Sequence, residues 1–186
     1  MEQNPIPTLS ERSAILTVRY ATPSEFEQIH QFNHAIFAEE IPQHKKQPSA
    51  KLVDPFHALN TYLIAKEGEE LVGMVCYNAV RPFSLDKKMA NIDSYLPTYK
   101  NMVEVRLFAV KKSKRKQHVA YAILKKLLPD LIHKGYDLAV MSATVKELKL
   151  YRHLGAIAFG SLVGTKEVPY QPMYLHLDNL KQEFRP

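Results

Sequence analysis

Two charged residues stand on a stretch that is otherwise fit for burial. From Val103 to Val110 the sequence VEVRLFAV is rich in β-branched and apolar residues, and strict alternation puts Glu104, Arg106, Phe108 and Val110 on one face of a strand. A carboxylate and a guanidinium there are costly unless they pair or look into a cleft. Glu104 is therefore either half of a structural ion pair or a candidate base, and Arg106 either its partner or a fork for a ligand carboxylate. Directly after come Lys111, Lys112, Lys114, Arg115 and Lys116 with no acidic residue among them. Val119, Ala120, Ile123, Leu124, Leu127, Leu128 and Leu131 then recur at helical spacing. A basic loop entering a helix N-terminus suits phosphate, because the first turn offers unpaired N–H groups at the positive end of the helix dipole. The same lysines also fit a solvated basic turn. His30 and His34 are four residues apart, a spacing that can hold zinc, but neither H-E-x-x-H nor cysteine ligands accompany them and both flank an apolar face. No metal is expected.

These residues need a frame to hold them. Ile15 to Tyr20 reads as a first strand. Thr22, Pro23 and Glu25 supply an N-cap, a proline at the first helical position and a capping-box carboxylate, for a helix that runs to about Phe37 and buries Phe26, Ile29, Phe32 and Ile36. Pro42, Pro48 and Pro55 make the segment from Glu39 to Asn60 loop with one short helix. Thr61 to Lys66 and Leu71 to Val80 form an antiparallel hairpin with Gly68 in its turn. A long loop follows from Arg81 to Asn101, of the kind that usually carries function. After the central strand, loop and helix, Pro129 should kink the helix and Gly135 should cap it. Asp137 to Ser142 is a strand. Thr144 with Glu147 makes a second capping box, for a helix ending at Gly155, and Ile157 to Val163 and Pro172 to Leu177 close as strands. The order predicts a mixed α/β sandwich.

The chain has 186 residues, 46% of them hydrophobic, enough for one core and too few for two ordinary domains. Residues 1–13 read as a flexible arm and 14–186 as a single domain. The net charge of +6 favours an anionic partner, and its concentration in one loop favours a local anion pocket over a nucleic-acid groove. No base-stacking signature for nucleic acid is present. The single cysteine, Cys76, excludes an internal disulfide and fits a reducing compartment. No stretch approaches the roughly 18 apolar residues of a membrane span, so a soluble cytoplasmic protein is expected.

The segment from Val103 to Leu128 resembles motif A of the GCN5-related acetyltransferases, Q/R-x-x-G-x-G/A between a strand and a helix. Here it reads Arg115, Lys116, Gln117, His118, Val119, Ala120, with His118 where the family usually has glycine and Lys116 at another position that is often glycine. LYRHLGAIAFG resembles the L-Y-x-x-x-G-F helix ending of the same family, with Tyr151 at its tyrosine. RPFSLDKK, Tyr95 to Pro97 and YQPMYL are similar to a branch related to N-acyl amino acid synthases. The resemblance implies an acyl-CoA N-acyltransferase fold, a central mixed sheet flanked by helices, and transfer of acetyl or another acyl group from acyl-CoA, as co-substrate, to the primary amine of a small acceptor.

In that reading the pantetheine arm lies between two splayed strands along Phe108, Ala109 and Val110, with a backbone donor near Val110 polarising the carbonyl. Arg115 to Ala120 hold the pyrophosphate, Tyr151 protonates the leaving thiolate, Glu104 deprotonates the amine and Arg106 orients it or holds an acceptor carboxylate. Tyr151 also fits as an aromatic member of its helix's buried face, one turn from Glu147 and Leu154. Two alternatives stay open: a synthase-like enzyme taking long acyl chains from acyl carrier protein, and a ligand-binding module of this fold that lacks catalysis.

Overall fold

The computed structural model describes residues 15–185; the N-terminal arm expected over 1–13 lies outside them. Among the described residues eight strands form one sheet: β1 (Leu16–Tyr20), β2 (Thr61–Glu67), β3 (Glu70–Asn78), β4 (Met102–Val110), β5 (Leu138–Thr144), β6 (Ile157–Ala158), β7 (Val163–Gly164) and β8 (Pro169–His176). Their spatial order is β1-β2-β3-β4-β5-β8-β6, with β7 also on β8. All neighbours are antiparallel except β4 and β5, which run parallel. Parallel neighbours need a crossover, and here it is α2 (Val119–His133). Pro129 sits inside α2 without ending it.

The helix expected from Thr22 divides into three parts: a 3-10 turn (Pro23–Glu25), α1 (Phe26–His34) and a π-helical continuation (Ala35–Glu40). Glu25 accepts the Thr22 N–H at 3.0 Å, as a capping carboxylate does. Thr144 makes no side-chain cap bond; a 3-10 turn (Val145–Glu147) follows it and only then α3 (Leu148–His153). The single strand expected from Ile157 to Val163 is split into β6 and β7, because Gly160 turns the chain at φ +58°.

One face of the sheet is covered by α2, whose Val119, Ile123, Leu127 and Leu131 are buried with Val72, Val75, Val103 and Ala139. The other face is covered in two pieces. Ile29, Phe32, Ile36 and Phe37 pack on Ile64, Met74 and Ala109. Phe83, Leu85 and Ile92, from the long loop after β3, pack on Met102, Leu138 and Val140. The seam between those pieces lies beside the boundary of β4 and β5, where the polar residues gather.

Candidate active site

β4 does not alternate strictly. Met74 pairs with Ala109 and Cys76 with Arg106, so a two-residue step on β3 faces a three-residue step on β4. The extra residue is absorbed at Leu107, whose φ is +52°. This β-bulge reverses the phase: Phe108 and Val110 join the α2 face, while Leu107 and Ala109 join the α1 face. The expectation that Glu104, Arg106, Phe108 and Val110 share a face is therefore corrected; only Glu104 and Arg106 look across the seam. Leucine carries no local signal for a left-handed residue, so the bulge could not be read from its residue type.

β4 and β5 pair only at Met102, Val103 and Glu104 against Leu138, Ala139 and Val140. Beyond Glu104 the strands part, and the β5-facing edge of Val105 to Val110 is left open while β5 continues to pair with β8 as far as Thr144. An open strand edge is a template for an extended, amide-bearing ligand. The gap leads towards the N-terminus of α2, whose N-cap is His118 at φ +59° and ψ +9°. The backbone there has the left-handed form that favours glycine, and His118 holds it despite its β-carbon.

The basic loop is less basic than its sequence. Lys111 pairs with Glu70, Lys114 with Glu67 at 2.6 Å and Arg115 with Glu40 at 2.5 Å. The Nε of Arg115 also donates to the Val110 carbonyl at 3.0 Å, tying the loop to the end of β4. Lys112 and Lys116 make no ion pair among the described residues. Gln117 donates its backbone N–H to the Lys114 carbonyl, and Val119 and Ala120 open α2, with Val119 in the core.

Glu104 is 2% exposed. Its two oxygens accept the N–H groups of Ser84 and Leu85 at 2.9 and 2.8 Å, with the Arg106 Nε at 3.6 Å. Burial raises its pKa against the pull of Arg106 and these donors. Arg106 meets Asp54 through a two-pronged contact, both arms at 2.8 Å, and Asp54 also accepts from the Phe56 N–H and Asn60 Nδ2. Sequence reasoning missed Asp54, 52 residues from its partner in the chain; only its place in a proline-rich loop beside the expected site hinted at it.

The loop carrying Asp54 spans the gap. At one end Gln43 Oε1 accepts the Tyr170 hydroxyl of β8 at 2.5 Å, and at the other Asp54 grips Arg106 of β4. His44 lies in the field of Asp54, Lys88 and Arg106, and partial burial lowers its pKa, so it is neutral at pH 7. Tyr151, on α3, is half-buried against the α2-side core. Its hydroxyl makes no hydrogen bond among the described residues, and burial, with Glu147 and Tyr170 adding, holds it protonated well above the ordinary phenol range. His34 is committed elsewhere, accepting the Gln47 N–H at 2.9 Å, and His30 faces His57.

The chain thus combines a parted pair of parallel strands, a bulge in one of them and a basic turn into a helix, and its residues 26–156 match the family described as Acetyltransferase (GNAT) family. The chain belongs to that family. No curated relative matches by sequence. Among solved structures the chain is similar to a CoA-dependent acyl-homoserine lactone synthase, BjaI, with SAM and isopentyl-CoA, at a TM-score of 0.72 and 15% identity over 87% of this chain and 79% of that one. It is similar to FeeM, an N-acyl amino acid synthase from uncultured soil microbes, at 0.68 and 16% over 90% and 95%. It is also similar to yncA, an acetyltransferase described as putative, from Salmonella typhimurium with acetyl-CoA, at 0.61 and 17% over 88% and 95%. As a member of the GNAT family the chain is an acyltransferase with the mixed sheet of that fold. Among the described residues no helix is long and apolar enough to cross a membrane.

Proposed function

We propose that the chain transfers an acyl group, acetyl by default, from acyl-CoA to the primary amine of a small acceptor. The observation that carries this reading is the open edge of β4, which runs from the seam holding Arg106 and His44 towards the basic turn before α2. The pantetheine amides complete that edge along Phe108 to Val110, and an N–H freed by the bulge polarises the thioester carbonyl. Lys112, Lys116 and the first N–H groups of α2 hold the pyrophosphate.

The acceptor enters on the Arg106 side. His44, neutral at pH 7, takes the proton that the ammonium must lose, and the amine nitrogen attacks the thioester carbon. As the C–N bond forms the C–S bond breaks, the departing sulfur takes the Tyr151 proton, and the second proton of the attacking nitrogen passes through solvent to the Tyr151 phenolate, giving amide and free thiol. Glu104, with both oxygens on backbone donors, serves as the anchor of the loop beneath the acceptor. Arg106 holds Asp54 and through it the loop across the gap.

A second reading, an N-acyl amino acid synthase fed by acyl carrier protein, is favoured by the neutralised basic loop and the β-carbon of His118, since a carrier presents phosphopantetheine without a pyrophosphate. The test is thiol release by the purified full chain from acetyl-CoA, long-chain acyl-CoA or long-chain acyl carrier protein, each with a panel of small amines. Amine-dependent release from a CoA thioester is expected. Release from the carrier alone selects the second reading, and donor binding without release from any donor overturns both in favour of a ligand-binding module.

A further inference from the structure

The charges along the seam are unequally satisfied. Asp54 accepts from Arg106, Phe56 and Asn60; Glu104 accepts from Ser84 and Leu85; Arg106 has both terminal nitrogens on Asp54. A fourth charge, Lys88, makes no ion pair among the described residues. Its Nζ lies over the Tyr170 ring at 5.7 Å, and its surroundings include Arg106, Glu104 and Asp54. Tyr170 is in turn a neighbour of Tyr151.

The position of Lys88 is built from β4 outwards. Glu104 holds the Leu85 N–H at 2.8 Å, and the Leu85 carbonyl accepts the N–H groups of Lys88 at 3.0 Å and Met89 at 3.1 Å. The turn that carries Lys88 thus hangs on a buried carboxylate of the central strand. A simple cationic amine approaching this seam finds carboxylates whose donors are already in place and an ammonium that repels it. An amine that also carries an anion finds an exposed ammonium without a carboxylate partner over the Tyr170 ring, while the neighbouring Lys87, also without an ion pair among the described residues, lies over Phe56 at 4.5 Å on the side of Asp54 and Arg106.

We infer that Lys88 is the seat for an anionic group on the acceptor, so that the substrate class is an amine bearing a carboxylate or phosphate. This rests on the acyl-transfer reading and assigns the recognition to Lys88, because Arg106 is already occupied by Asp54.

Two independent measurements test it, on wild type, Lys88→Met and, as a charge-matched control on the far end of α2, Lys134→Met. The first is calorimetric titration with N-acetylphenylalanine and with N-acetylphenethylamine, which differ by the carboxylate. The carboxylate ligand should bind wild type and Lys134→Met at least tenfold more tightly than the neutral one, and Lys88→Met should erase that difference. Equal binding of the carboxylate ligand to Lys88→Met and wild type, or to none of the three, overturns the inference.

The second is thiol release with phenylalanine, phosphoethanolamine and phenethylamine as acceptors. KM for an anionic acceptor should rise at least tenfold in Lys88→Met while kcat stays within twofold and the rate with phenethylamine does not fall, and the anion that suffers more identifies carboxylate or phosphate as the natural group. A uniform fall across all three acceptors assigns Lys88 a structural role and overturns the inference. Carboxylate-dependent binding with no thiol release from any acceptor instead counts against acyl transfer and leaves the Lys88 seat standing.

Discussion

Tyr151 and Glu104 make opposite predictions. In the proposed reaction Tyr151→Phe removes the only proton donor assigned to the leaving sulfur, so kcat should fall about 100-fold with little change in donor KM, as stopped-flow thiol release would show. Glu104→Gln replaces an acceptor oxygen by an NH2 group against a backbone N–H in a site 2% exposed, so it should cost about 2 kcal/mol in a denaturant titration. Its remaining activity should keep the wild-type pH profile; loss of the limb that reports the base would return that role to Glu104. The amide has one further effect, since it loosens the turn that carries Lys88. The sequence showed that Glu104 was anomalous, but a charged residue on an apolar strand looks the same whether it faces a ligand or two backbone donors. The donors, Ser84 and Leu85, are about twenty residues away and carry no sign of their target.

The elements differ in how they were legible. α2 and the hairpin of β2 and β3 rest on periodicity and turn chemistry, which are local, and both stand where the pattern puts them. The bulge at Leu107 and the loop across the gap rest on pairing between distant segments, and they decide where the site lies. Two predictions belong here. Asp54→Ala leaves Arg106 with only the 3.6 Å contact to Glu104 in a half-closed setting and should cost about 3 kcal/mol, with hydrogen exchange rising first in residues 41–56. His118→Gly should stabilise the chain by about 1 kcal/mol, because the φ of +59° costs a residue with a β-carbon roughly that much. A rise in melting temperature with unchanged acetyl-CoA affinity would mean that the imidazole makes no phosphate contact; weaker binding would assign it one.

For the whole molecule, pH acts through a half-buried imidazole and a buried carboxylate, both of which lose their contribution as pH falls. Burial, with His57 adding, lowers the His30 pKa, so the unfolded chain binds a proton there more readily than the folded one. Stability from His30 is present above the unfolded value of about 6.5 and is lost as pH falls towards the folded value. The Asp54 pKa is lowered too, so its contribution persists down to the ordinary carboxylate range and is lost only below it. Melting temperature should therefore begin to fall below about pH 6.5 and fall further below about pH 4. His30→Gln should shrink the first step, leaving the share that His44 contributes, and leave the second. A first step of equal size in that variant would remove His30 as its source.

The parted strands also bear on how long the protein survives. The β1 to β4 half of the sheet meets the β5 to β8 half through three residue pairs, so the folded chain is short of roughly a strand's worth of hydrogen bonds across its middle. Whatever fills the gap becomes, in effect, a ninth strand, and binding that favours the folded state over the unfolded one shifts their balance by mass action. The enzyme's lifetime would then track the supply of its own donor: chains in cells poor in acyl thioester would open, and be degraded, sooner than identical chains in cells that are rich in it.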